Sequence, residues 1–142
     1  MSVNTSSLVH FIRHTLGCGC PDSVFENIEQ SVLPSSVVTP PCTRVVVGET
    51  LLVYLVRHSH LAAATEQVIE LGRRGRADRD EHGYNRFRLV LSTDPSHPQA
   101  LAAAAQFDNA FSHDEKMHIH LIEVEQADAL QLAQALDTSH RD

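Results

Sequence analysis

The amino-acid sequence predicts a single α/β domain with a mixed four-stranded sheet, a β-hairpin followed by a parallel βαβαβ run, flanking helices and an N-terminal helix pair. Three observations lead to this class. The length of 142 residues is the usual size of one domain. The hydrophobic fraction of 42% can fill a core, which must be aliphatic because Trp is absent and aromatics make up 5%. From residue 43 onward, β-rich stretches alternate with stretches of helical periodicity.

The elements follow in chain order. Thr5 to Leu16 place Leu8, Phe11, Ile12 and Leu16 on one helical face, with Gly17 as terminator. Pro21 suits the first position of a second helix, and Val24, Phe25 and Ile28 supply its apolar face. Residues 1–32 therefore read as a helix pair joined by Cys18-Gly19-Cys20-Pro21. Residues 33–42 form a connector that holds three of the six prolines. The α/β body spans 43–136. Arg44 to Val47 is β-rich, Gly48-Glu49 reads as a two-residue hairpin turn, and Thr50 to Val56 is apolar on both faces, as a central strand should be.

Leu61 to Gly72 reads as helix, closed by Gly72-Arg73-Arg74-Gly75. Arg76 to Gly83 reads as a charged, solvated loop. Tyr84 to Ser92 alternates as a strand, Pro98 to Phe111 is an Ala-rich helix, Met117 to Val124 is a strand, and a last helix covers about Ala127 to Leu136. Connections of this length imply parallel pairing of the last three strands.

Composition excludes several classes. With 18 acidic and 11 basic residues the formal charge is -7, which argues against capture of nucleic acid or an anionic membrane surface. The longest apolar run, Leu51 to Val56, is too short to span a bilayer. No basic segment followed by an apolar one opens the chain, so no secretory signal is expected. Three cysteines are few and odd in number, which points to a reducing, cytoplasmic setting with thiols free or metal-bound.

The thiol motif is the most distinctive feature. Cys20 precedes a predicted helix whose N-terminal N–H groups and dipole favour a thiolate. Cys18 and Cys20, with Cys42 beyond the connector, form a candidate metal site for zinc or an iron–sulfur cluster. The protein would then be a small carrier, sensor or electron-transfer protein. Both metals usually want four ligands, so a His or a second subunit would have to complete the set. Two alternatives stand beside this one. Cys18 and Cys20 could form a reversible disulfide, or the cysteines could simply pack in a non-catalytic interaction or oligomerisation domain. A protein partner or a homo-oligomer fits the last reading.

Ten histidines are many for a chain of this length. In an open parallel sheet, ligands sit beyond the carboxyl ends of the strands. His58 and His60 follow one predicted strand, and Asp94 and His97 follow the next. These four form a secondary candidate site, for a metal or for acid–base work by a small enzyme. The plainer reading is helix caps and solvated histidines. His118 and His120 fall at a strand start, at the opposite sheet edge, and read as a polar face.

Overall fold

A computed structural model describes residues 28–33, 42–57, 64–93 and 98–123. The elements are β1 (Ile28–Leu33), β2 (Cys42–Val47), β3 (Leu51–Arg57), α1 (Ala64–His82), β4 (Arg86–Ser92), α2 (Pro98–Ala110) and β5 (Met117–Ile122). They form one five-stranded sheet in the order β1-β2-β3-β4-β5. The first two pairings are antiparallel. The last two are parallel.

The class is the expected α/β mixed sheet, and its fifth strand is a correction. Ile28 to Leu33 pairs along its whole length with β2 instead of ending a helix. Ile28 fits the apolar face of a helix begun at Pro21 and also a strand of alternating Ile28, Gln30 and Val32. Pairing with β2 decides for the strand. The remainder of the helix pair, residues 1–27, and the final helix over 127–136 lie outside the described residues.

The hairpin between β2 and β3 turns through Gly48 and Glu49, both with φ of 58°. The Thr50 N–H closes the turn on the Val47 carbonyl at 3.0 Å. The Thr50 carbonyl then accepts the N–H groups of Asn85 at 2.8 Å and Arg86 at 3.0 Å, which fastens the turn to the start of β4.

The second correction is the length of α1, which runs through Gly72 and Gly75 to His82. Glycine destabilises a helix interior, yet both positions are needed for contact. A Cβ on Gly72 would lie 2.3 Å from the Phe111 ring, and one on Gly75 would lie 2.3 Å from the Phe87 ring. The helix continues through residues 76–82, where Asp78, Arg79 and His82 find partners, as described below. The real terminator is Gly83, at φ 75°. The Tyr84 N–H reaches back to the Arg79 carbonyl at 2.9 Å, the six-to-one bond of a Schellman cap.

Both helices lie on one face of the sheet. Their core joins Val46, Leu52, Tyr54, Val56, Phe87, Leu89, Leu91 and Met117 to Val68, Leu71, Ala103, Phe107 and Phe111. Alternation places Val45, Val47, Leu51, Val53, Val90 and Ile122 on the other face. These residues are also buried, at 4% exposure or less, although neither described helix covers them. β3 is thus apolar on both faces because both are enclosed, as its sequence predicts.

Candidate functional site

Cys18 and Cys20 lie outside the described residues. Cys42 opens β2 and is 1% exposed, within the core under the helices. Burial pushes its thiol up to about 12, and nearby Asp78 adds to this against an opposing pull from Arg74. At neutral pH it is a protonated, packed thiol. Among the described residues no group of three or more His, Cys, Asp or Glu side chains could hold a metal.

Next to Cys42 stands the strongest polar cluster. Asp78, in α1, accepts two hydrogen bonds from the Arg44 guanidinium, each at 2.8 Å, and one from the Tyr54 hydroxyl at 2.6 Å. The His82 Nδ1 lies 3.0 Å from the same carboxylate. Burial pushes the Asp78 carboxyl up, but the bonds from Arg44 and Tyr54 outweigh this and hold it below its ordinary value. Burial, reinforced by Asp78, keeps the Tyr54 phenol protonated far above its usual range. His82 stacks on Tyr84 with ring centroids 5.3 Å apart. The carboxylate is satisfied on every side by protein groups, so this cluster fastens α1 to β2 and β3.

A second cluster fastens the end of α1 to the turn before β5. Arg79 donates to both Asp114 oxygens, at 3.2 and 2.8 Å, and to Asp80 at 3.0 and 3.1 Å. The Arg79 bonds hold the Asp114 carboxyl below its ordinary value. The Asp114 Oδ1 also accepts the Lys116 N–H at 3.0 Å. Sequence reasoning missed both clusters because it read residues 76–83 as a solvated loop. A signal was present in Tyr54, a hydroxyl within an otherwise apolar strand, which needs a buried partner.

His58, His60, Asp94 and His97 also lie outside the described residues. The register does show where their segments depart. Arg57 aligns with Ser92, and Ser92 with Ile122, so β3, β4 and β5 end at one sheet edge. His118, the second residue of β5, lies toward the opposite end of the strands, aligned with Arg88.

The face of β4 and β5 turned away from the helices has a different character. Alternation puts Arg86, Arg88, Val90 and Ser92 of β4 there, beside His118, His120 and Ile122 of β5. Neither strand contributes a carboxylate to it. Arg88 is 8% exposed. Its Nη1 donates to the carbonyls of Phe87 at 3.1 Å and Lys116 at 3.4 Å. Burial and the charge of Arg86 push its guanidinium below its ordinary value.

His118 is exposed and its Nε2 lies 2.7 Å from the Glu115 carbonyl, which fits the polar strand start that the sequence suggests. His120 departs from that reading. Burial first, then the charges of Arg88 and His118, lower its pKa to about 4, so the ring is neutral at pH 7. Its Nε2 and the Oγ of Ser92 are buried without a hydrogen-bond partner. Ser92 is 0% exposed. Buried polar atoms are paired in the great majority of cases, so these two, on adjacent strands, are exceptions.

No protein-family model, curated protein or solved structure matches the chain. No described helix is long and apolar enough to cross a membrane.

Proposed function

We propose that this chain is a small, cytoplasmic, non-catalytic binding domain that holds a small polar ligand against the β4–β5 side of its sheet. One observation carries the reading, namely that Ser92 Oγ and His120 Nε2 are both buried and both lack a partner. Burying an unpaired polar group costs about 1–3 kcal/mol, and a bound group that pairs with both would relieve that cost. The packed state of Cys42 supports a domain in which this cysteine fills space. The charge of -7 disfavours nucleic acid as the partner.

The test is a survey of small polar compounds by amide and imidazole shift perturbation on the full chain. Saturable shifts centred on Ser92 and His120 are expected. Shifts confined to other surfaces, or none with any compound, would refute the reading.

A second reading, a zinc or iron–sulfur protein, is favoured by the glycine-flanked pair Cys18 and Cys20. With Cys42 as a third thiol, a histidine or a second subunit would complete a four-ligand set. Elemental analysis and a visible spectrum of anaerobically purified protein decide it. Stoichiometric metal that disappears in Cys18→Ser/Cys20→Ser would replace the first reading. A reversible dithiol would instead show as a two-hydrogen mass change on reduction at the same pair.

A further inference from the structure

We infer that the ligand of the β4–β5 face is a small oxyanion, a carboxylate or phosphate group, held by Ser92 and His120 in the field of Arg88. The inference rests on the binding reading above and names the ligand's chemical class.

Charge and geometry both point to an anion. Arg88 is a nearly buried cation whose described bonds go to neutral carbonyls. No acidic residue of β4 or β5 offsets it. A buried charge without a counter-charge is unfavourable, and an anion on the same face supplies one. In the parallel register, Arg88 aligns with His118, Val90 with His120 and Ser92 with Ile122. His120 therefore stands diagonally between Arg88 and Ser92 on adjacent strands.

A serine hydroxyl and a neutral imidazole Nε2–H can each donate one hydrogen bond, and an oxyanion offers several acceptor lone pairs. Ser92 and His120 would make the contacts, while Arg88, held back by the Phe87 and Lys116 carbonyls, would act through its charge. A neutral ligand could satisfy the two donors but would bring no counter-charge to Arg88, which has none from β4 or β5.

The experiment is calorimetric and thermal titration of the full chain with inorganic phosphate and with acetate, against sodium chloride of matched ionic strength. Saturable binding of at least one anion is expected, with a rise in melting temperature beyond the chloride control. Phosphate alone would indicate a phosphorylated ligand, and acetate alone a carboxylic acid. Ser92→Ala should weaken binding about ten-fold or more. The same variant should leave the unliganded protein no less stable, because the hydroxyl it removes has no partner there.

Binding unchanged in both Ser92→Ala and His120→Phe would show adventitious surface binding only and overturn the inference. If neither anion binds but a neutral compound shifts the Ser92 and His120 resonances, the anion falls and the binding reading stands. If nothing binds, both fall, and a single buried water bridging the two groups in a crystal would account for the unpaired pair.

Discussion

Replacing Gly75 with Ala tests the close approach of α1 to Phe87 of the sheet. At an ordinary helix position this change stabilises by about 0.5–1 kcal/mol. At Gly75 the new Cβ would sit 2.3, 2.4 and 2.8 Å from Cε1, Cζ and Cδ1 of Phe87. Phe87 is 0% exposed and cannot swing into solvent. It meets Tyr54 edge-on with ring centroids 5.0 Å apart, and the Tyr54 hydroxyl is tied to Asp78. The ring can retreat only by disturbing that bond or by lifting α1.

Overpacking of this kind costs about 1–3 kcal/mol, so after the propensity gain the variant should be about 1–2 kcal/mol less stable. For a domain of this size that is a fall in melting temperature of roughly 3–8 °C. Urea unfolding, read as the midpoint at constant slope, measures it. The exposed Ala77, on the same helix, is the control, and Ala77→Gly should lose about 0.5–1 kcal/mol. If Gly75→Ala stabilises the protein as helix propensity alone would require, the packing of α1 on Phe87 is refuted.

Three further outcomes are expected. Asp78→Asn, which leaves Arg44 beside a neutral amide, should destabilise by about 1–3 kcal/mol, and a double-mutant cycle with Tyr54→Phe should be non-additive. His120 has a folded pKa of about 4, below its unfolded value, so its neutral form contributes stability that is complete above the unfolded value of about 6.5. That contribution, about 1–2 kcal/mol after allowance for solvent screening, should fade as pH falls from about 6.5 toward 4, and His120→Phe should flatten the denaturation profile in that window. Cys42 should resist aromatic disulfide reagents in the folded protein and react only at the unfolding rate, since its thiol is both buried and pushed up to about 12.

The body of the fold was legible where hydrophobic period and turn residues agreed. Thr50 to Val56 read as a doubly covered strand, and Pro98 to Phe111 as a helix, because no competing signal crossed them. Reading failed where a local rule was overruled by a distant contact. Gly72 and Gly75 look like a helix end until Phe111 and Phe87 are known to lie against them. Asp78 looks solvated until Arg44, 34 residues earlier, is brought across by the β2–β3 hairpin. Ile28 fits either period, and only its pairing with Val47 distinguishes them. At the candidate site, the H-x-H pattern of His118 and His120 was visible. The different burial of the two rings and the unpaired Ser92 hydroxyl were not, because both depend on what encloses that face.

The order of the strands across the sheet is the order in which they occur in the chain. Each new strand docks on the one made just before it, and no later segment must insert between two earlier ones. Assembly can therefore proceed by accretion, starting at the β2–β3 hairpin, whose loop is short, and adding β4 and then β5 as their helices form. Such a chain can lay down its sheet while still emerging from the ribosome. The Thr50 carbonyl, bonded to both Asn85 and Arg86, makes the hairpin turn the template on which the first parallel strand is registered.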